Sequence, residues 1–445
     1  MRNESAVRSY LRNVERWFVA FLVVNLVMGT SSVLIPLKID RILEEGPSRL
    51  GILATFASAA AVLGSLLWGR LSDAVHRRKT FVVLSCLMVA VTHAGLALSR
   101  SFAVLVLHNT LLSFFWVANA SVAVLLVIEW KDERGWESGI SLLNFFGAIG
   151  WLLGLVAGAV GVSAAFSTLA EAVGMRTLFL SLSALAFVSA VLAGWLIPSV
   201  VPRFTQRKFR GVRVAVGNLL VEVWRFNPLH LYHRASFRRL GRLRPETRGF
   251  LIASALAFTG IGFFAVPLAL LLSQRMSYSP SLVFFSYVVL HSGIVLAYPI
   301  ALHRIRRRGN RRVQIAALAV RAALLAVGAG VLWRVDEVPW LAAAPFLFVI
   351  GLTWSFFQLS GVAFASRLAK PENRGLTLGI YNAIAGGSSV VAGISSGYLA
   401  QNVGHEMTYL CSASLLLCAI IVLVRLPDPA PGAVGLVEDE LEGGA

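Results

Sequence analysis

A short polar stretch, Gly69-Arg-Leu-Ser-Asp73-Ala-Val-His-Arg77-Arg78-Lys79, separates two long apolar segments of the chain. It places one acidic side chain close to several cations at the boundary between apolar and polar sequence. A carboxylate at the end of an apolar helix is costly to place near a membrane, and such residues usually serve a function. The stretch therefore predicts the end of one membrane helix, a charged turn, and the start of the next helix.

The composition of the 445-residue chain is that of an integral membrane protein. Hydrophobic residues make up 57% of it and charged residues 14%, and the mean hydropathy is +0.75. The formal net charge is +18, but the cations lie between apolar segments, so we attribute them to membrane topology and expect no nucleic-acid binding. The three cysteines fall inside apolar segments without the spacing of a disulfide or metal site. We expect no metal and no cofactor.

Twelve apolar segments are each long enough to cross a bilayer. They are predicted near residues 17–37, 49–71, 80–99, 102–128, 136–163, 176–198, 249–272, 280–302, 313–333, 338–362, 376–400 and 406–426. Lys and Arg accumulate in alternate loops, which places both termini in the cytoplasm. The sequence therefore predicts an all-α, multi-pass protein of the cell membrane with twelve transmembrane helices.

Two short similarities indicate that the chain consists of duplicated halves. The residues from Gly29 to Leu37 in the first span resemble those from Gly260 to Leu268 in the seventh, and Arg134-Gly135 before the fifth span resembles Arg374-Gly375 before the eleventh. Matches at corresponding spans are typical of transporters built from repeats. We predict an N-terminal six-helix bundle (1–198), a basic cytoplasmic linker (199–248), a C-terminal six-helix bundle (249–427) and a disordered acidic tail (428–445).

Two interpretations stay open for the linker, which interleaves many cations with aromatic residues. Residues 212–226 can form an amphipathic helix that lies on the membrane and is held by anionic lipid headgroups. Alternatively, the interval is a solvated basic linker that follows the positive-inside rule.

The opening stretch resembles the signature that the major facilitator superfamily carries between its second and third helices. Gly69, Asp73, Arg77 and Arg78 match that pattern, whereas Ala74 and His76 replace a basic residue and a glycine. Together with the twelve spans, the basic middle interval and the duplicated halves, the resemblance covers the chain to about residue 426. It implies two pseudo-symmetric six-helix bundles that move a small solute by alternating access.

The position of this motif predicts a cytoplasmic gate. We expect Asp73 to meet the positive N-terminal end of the eleventh helix, and Arg77 or Arg78 to bridge to Glu129 or Asp132. A contact that forms in only one state biases a two-state equilibrium, as alternating access requires. The predicted gate consists of Gly69, Asp73, Arg77, Arg78, Glu129, Arg134 and Arg374.

The resemblance also implies a central cavity lined by helices 1, 4, 7 and 10, with support from 2, 5, 8 and 11. The polar and aromatic candidates on these helices are Asn25, His108, Trp116, Asn119, Asn144, Phe258, Thr259, Phe263, His291, Trp354, Gln358, Tyr381 and Asn382. No acidic residue lies near the middle of a span, which favours a neutral or amphipathic organic substrate. His291 and His108 are candidates for proton coupling, because imidazole exchanges protons near neutral pH; a packing role stays open for both.

The function expected from the sequence is secondary transport, not enzyme catalysis. No nucleotide-binding P-loop occurs in the chain, so we expect an ion or solute gradient to drive transport. Proton-coupled efflux of hydrophobic or amphipathic compounds by a monomer is the first hypothesis. Gly150-Trp151 stands where antiporters of the family carry Gly-Pro, which leaves antiport open. The alternatives are uptake of a small metabolite by symport or facilitated diffusion, and a membrane sensor or scaffold without transport.

Overall fold

The computed structural model describes residues 15–75, 77–130, 136–198, 245–368 and 374–426. Within these residues, twelve helical segments are long and apolar enough to cross a membrane, which confirms the predicted fold class. The helices are α1 (Phe18–Arg41), α2 (Pro47–Val75), α3 (Arg78–Leu98), α4 (Phe102–Trp130), α5 (Trp136–Thr168), α6 (Glu171–Leu196), α7 (Pro245–Ala265), α8 (Pro280–Arg308), α9 (Asn310–Leu332), α10 (Trp340–Leu368), α11 (Arg374–Asn402) and α12 (His405–Val424).

The seventh span is interrupted near its end. α7 stops at Ala265, and the span continues as a helical turn, Leu268–Leu270, and a π-helical segment, Leu271–Arg275. Pro267 lies at the break, and the break occurs there because proline lacks the N–H that a helix interior needs. Pro36, at the matching place of the first repeat, instead lies inside the continuous α1.

The pattern of helix contacts is the same in both halves. In the first half, α1 packs against α5 and α6, α2 against α4, and α3 against α4 and α6. In the second half, α7 packs against α11 and α12, α8 against α10, and α9 against α10 and α12. These two six-helix bundles meet where α2 packs against α11 and α5 against α8.

Glycines allow helices to approach closely within each bundle. A Cβ added at Gly150 or Gly154 of α5 would collide with carbonyl oxygens of α1. The Thr30 hydroxyl of α1 donates a hydrogen bond of 2.6 Å to the Gly154 carbonyl. Helices in lipid gain no hydrophobic driving force from pairing, so such close packing and hydrogen bonds stabilise them.

The two bundles are joined on the side of the molecule distant from residues 15 and 426, where the described chain begins and ends. We call this side the distal side. There the Thr55 hydroxyl of α2 donates to the Val390 carbonyl of α11 over 3.1 Å, and the Ser48 N–H donates to Gln401 over 3.0 Å.

Asp40, at the end of α1, adds a second distal connection. Its carboxylate accepts hydrogen bonds from Ser273 and, over 2.8 Å, from Gln274 of the π-helical segment. The described hydrogen bonds between the bundles therefore all lie on the distal side.

Candidate functional site

A cavity of about 440 Å³ lies between the two bundles. Its walls come from α1, α4 and α5 on one side and from α8 and α10 on the other. The lining residues are Phe21, Asn25, Trp116, Asn119, Ala123, Leu143, Asn144, Gly147, Ala148, Trp151, His291, Ile294, Val295, Tyr298 and Trp354. In α1 these belong to the first two turns, and in the oppositely directed α4 to the second half. The cavity therefore occupies the middle of the protein and the side opposite the distal side, where residues 15 and 426 lie. We call this side the terminus side.

Two aromatic rings on the wall of this cavity connect the two bundles. The ring of Trp151, on α5, stacks on that of His291, on α8, with 6.1 Å between centroids and 23° between planes. Tyr287 stacks on the same imidazole at 6.3 Å. The backbone of Trp151 packs against Gly29 of α1, so the indole projects from a closely packed helix pair. Such an arrangement restricts the ring to a narrow range of positions.

His291 has one ring nitrogen fixed by the backbone. Nδ1 lies 2.9 Å from the Tyr287 carbonyl and must donate, because a carbonyl oxygen only accepts. In the neutral ring Nε2 is then an acceptor. Among the cavity-lining residues within the described part of the chain, His291 is the group whose ordinary titration range lies near neutral pH.

The cavity offers amide and indole groups for hydrogen bonding. Asn25 donates a hydrogen bond of 2.7 Å to the Phe21 carbonyl, and Asn119 donates one of 3.3 Å to the Cys86 sulfur. Asn144 is exposed. The Trp151 Nε1 is buried without a hydrogen-bond partner among the residues that the structure describes. Among the lining residues that the structure describes, there is no Asp, Glu, Lys or Arg. The described part of the site can therefore bind rings and neutral polar groups, and it places no formally charged side chain against them.

A proline adds a backbone group to the same wall. Pro299 lies inside α8, and it has no N–H to donate to the carbonyl four residues earlier. That carbonyl belongs to Val295, a cavity residue. The Val295 carbonyl therefore has no N–H donor four residues along the helix.

Six of the thirteen residues predicted for the cavity line it, and they are Asn25, Trp116, Asn119, Asn144, His291 and Trp354. The other seven lie elsewhere in this structure. His108 turns toward α3, where its ring contacts Gly95 and its Nδ1 donates 2.8 Å to the Val104 carbonyl. It is separated from the cavity because α3 packs on that face of α4.

Residues predicted on α7 and α11 mainly fill helix contacts. Tyr381 is fully buried and stacks on Phe250 at 5.8 Å, while Phe258 packs edge-on against Phe357. The predicted residues that are also absent from the cavity wall are Thr259, Phe263, Gln358 and Asn382. In this state α5 and α8 replace α7 as wall elements. Trp151 and Tyr298, both missed by the sequence prediction, belong to these two helices.

The predicted gate lies largely outside the described side chains. Gly69 and Asp73 belong to α2, Glu129 to α4 and Arg374 to α11, but the side chains of these acids and of Arg374 lie outside the described part, as does all of Arg134. The interval 199–244, with its predicted interfacial helix, and the tail from residue 427 lie outside it as well.

Two gate arginines are described. Arg77 is exposed just before α3. Arg78 is 8% exposed and donates from Nη1 to the Ser72 hydroxyl, which connects the start of α3 to the end of α2. The predicted bridges from these arginines to the end of α4 stay predictions.

Comparisons with known proteins agree with this architecture. Among solved structures, a D-xylose–proton symporter has 13% identity and a TM-score of 0.72, with 95% of this chain and 99% of that chain covered. The nucleoside transporter NupG has 14% identity and a TM-score of 0.67, with 92% and 98% covered. An inward-open structure of the xylose transporter XylE from E. coli has 14% identity and a TM-score of 0.69, with 94% and 97% covered. At such identities the likeness shows the fold alone.

Sequence comparison identifies the family. No curated protein matches the chain significantly. The family model of the Major Facilitator Superfamily matches residues 17–360 and 307–442, which together span most of the chain. The protein belongs to the Major Facilitator Superfamily of membrane transporters.

Proposed function

We propose that this protein moves a neutral or amphipathic, ring-bearing organic molecule across the cell membrane, with proton-linked export as the first candidate. The observation that carries the proposal is the cavity between the bundles, whose described lining residues include several aromatic side chains and no charged residue. A charged solute would lose its hydration there without gaining an ionic partner. A neutral ring-bearing solute would replace water against apolar faces and keep a few hydrogen bonds.

Alternating access is supported by the distribution of contacts between the bundles. Hydrogen bonds join them on the distal side, whereas the cavity extends to the terminus side. In the opposite state the contacts of Asp40 and Ser48 would separate, and the predicted gate around Asp73 would close. Two such states around a central site are how repeat-built transporters work. We place the termini in the cytoplasm on the distribution of Lys and Arg, and the working unit is a monomer.

Proton coupling through His291 rests on its position in the contact between the bundles. Protonation would make both ring nitrogens donors. It would also turn the stack on Trp151 into a cation–π contact, which is stronger than the contact of a neutral ring. A proton on His291 would therefore stabilise the approach of α5 and α8 and connect protonation to the two-state equilibrium.

A second candidate is uptake of a small organic metabolite, by symport or facilitated diffusion. It is favoured by the three asparagines in the cavity and by the unpartnered Trp151 Nε1, which suit a solute with several hydrogen-bonding groups. The nucleoside and D-xylose transporters of the same fold agree with this solute class. A sensor or scaffold, the third class, would show no transport.

The proposal is tested with purified protein in proteoliposomes. We expect neutral ring-bearing solutes to be transported in preference to charged analogues of the same size, and an imposed pH gradient to accelerate export. Symport or gradient-independent flux would support the second candidate. Preference for charged solutes, or absence of flux across a broad panel, would refute both transport candidates.

Trp151→Phe tests the cavity assignment. This change keeps a ring but removes the Nε1 donor, so a solute that accepts its hydrogen bond should bind about 2- to 10-fold more weakly. Trp333→Phe is the matched control, because Trp333 is 59% exposed at the end of α9, away from the cavity. Equal affinities of both variants for every transported solute would contradict the role of Trp151.

A further inference from the structure

A second cavity, of about 580 Å³, lies on the C-terminal bundle between α8, α9 and α10. Its walls are mainly apolar and include Ala316, Val320, Leu352 and Phe356. Three arginines line it as well, Arg304 and Arg308 from α8 and Arg312 from α9. It shares no lining residue with the central cavity. We call this second cavity the arginine groove.

The three arginines lie at one end of the groove. α8 ends at Arg308, and Gly309, with φ of +80°, turns the chain directly into α9. Arg304 and Arg308 are four residues apart and so project from the same face of α8, while Arg312 lies in the first turn of α9. All three side chains are exposed.

The apolar part of the groove follows the membrane-spanning parts of α9 and α10. Val320, about three turns into α9, is 47% exposed, and Ala316 is also exposed. The groove thus combines a cationic end near the helix termini with an apolar wall that runs toward the middle of the membrane.

A fourth cation lies behind this wall. Arg321 of α9 is 4% exposed. It donates a hydrogen bond of 3.1 Å to the hydroxyl of Thr353, which is itself a groove residue. Arg321 also donates 3.3 Å to the Ile350 carbonyl, and it has no carboxylate partner among the described ion pairs. Its positive charge adds to the potential along the groove.

We propose that the arginine groove binds one anionic phospholipid from the leaflet on the terminus side. The phosphate is held by Arg304, Arg308 and Arg312, and an acyl chain lies against α9 and α10. Guanidinium groups match phosphate oxygens in geometry and charge, and basic residues at this depth attract anionic headgroups. A free inorganic anion would leave the apolar wall uncovered, whereas a lipid covers both parts.

The simpler explanation of these arginines is membrane topology, which a matched pair of double variants separates from lipid binding. Arg304→Gln with Arg308→Gln removes two cations from the groove. Arg306→Gln with Arg307→Gln removes two exposed cations from the same end of α8 that do not line it. Both variants carry the same net charge, so any difference between them reports on the groove.

The experiment measures phosphatidylglycerol bound to the full-length protein, by native mass spectrometry after extraction and by the thermal shift on adding the lipid. We expect the Arg304/Arg308 variant to bind about 25-fold more weakly than the unaltered protein, about fivefold for each cation removed. The Arg306/Arg307 variant should stay within about fivefold of the unaltered protein. Ala316→Trp, which fills the apolar wall and keeps every charge, should also reduce retention.

Several results would overturn the proposal. Equal losses of lipid affinity in the two double variants would show that the arginines act only through membrane topology. Equal retention of phosphatidylcholine would remove the role of charge. A thermal shift produced equally by inorganic phosphate alone would show that a free anion suffices, and a dimer lost only in the Arg304/Arg308 variant would assign the groove to a second copy of the chain.

Discussion

Replacing Gly397 by alanine should shift the protein away from the state seen in this structure. A Cβ at this position of α11 would lie 2.6 Å from the Pro47 carbonyl oxygen and 2.7 Å from the Gly51 Cα. Both neighbours are backbone atoms of α2, so no side chain can rotate away. The clash exists only while the two bundles are joined on the distal side, and it therefore destabilises that state selectively.

The magnitude follows from the cost of excess volume in a close-packed contact, which is about 1–3 kcal/mol. This cost corresponds to a change of about 5- to 150-fold in the equilibrium between the two states. Gly387→Ala is the control on the same helix, because a Cβ there meets no atom within 4 Å. Both variants gain the same helix propensity, about 1 kcal/mol, so the difference between them isolates the contact.

The assay is the rate at which a cysteine placed at Asn144, an exposed cavity residue, reacts with a membrane-impermeant maleimide. The background replaces Cys411 and Cys418, and the vesicles present the terminus side outward, as protease cleavage of a terminal tag verifies. We expect slower labelling in Gly397→Ala and an unchanged rate in Gly387→Ala. Equal rates in both variants, or faster labelling in Gly397→Ala, would refute the assignment of α2 and α11 as the distal contact.

Three further predictions concern charged and titratable groups. Asp40→Ala removes the hydrogen bonds from Ser273 and Gln274 and should shift the same labelling assay in the same direction. The expected change is about tenfold or more, since the Asp40 side chain is only 9% exposed and a hydrogen bond to a charged group contributes about 1.5 kcal/mol or more. No shift would mean that the contact is incidental. His291→Ala should reduce pH-driven flux about tenfold and leave solute exchange without a gradient intact. The control is His303→Ala, which should change neither activity because His303 is exposed on the same helix. Loss of both activities in His291→Ala would point to solute binding alone. Asp73→Asn should slow turnover about tenfold through loss of one gate contact of about 1.4 kcal/mol while solute binding persists, and normal turnover would contradict the predicted gate.

The twelve spans were predictable because the bilayer imposes a minimum apolar length on every crossing. Asn25 and Asn119 were also predictable as cavity residues, since polar side chains inside spans usually face the interior of the bundle. His108 has the same chemistry but packs against Gly95. The rotation of a helix about its axis depends on its neighbours, and one residue in an apolar helix does not report it.

Trp151 is a cavity residue that the sequence did not predict. In a chain in which 57% of residues are hydrophobic, a tryptophan within a span can face lipid, a neighbouring helix or a cavity, and nothing in the local pattern distinguishes these environments. Its role follows from the glycine contacts that fix α5 against α1 and from α8 opposite it. Likewise, the proposed alternating access would let different helices line the cavity in different states, and a single sequence pattern does not distinguish these states.

Pro299 has a consequence for how the specificity of this cavity can be mapped. The Val295 carbonyl, which has no N–H partner four residues along the helix, belongs to the main chain, so replacing cavity side chains one at a time leaves this acceptor in place. A solute that donates a hydrogen bond to it would tolerate a complete alanine scan of the lining residues at that point of contact. The interaction would be lost only when the proline itself is replaced and the helix regains its own hydrogen bond. A residue outside the cavity wall, Pro299, can thus determine whether the cavity selects solutes with a hydrogen-bond donor.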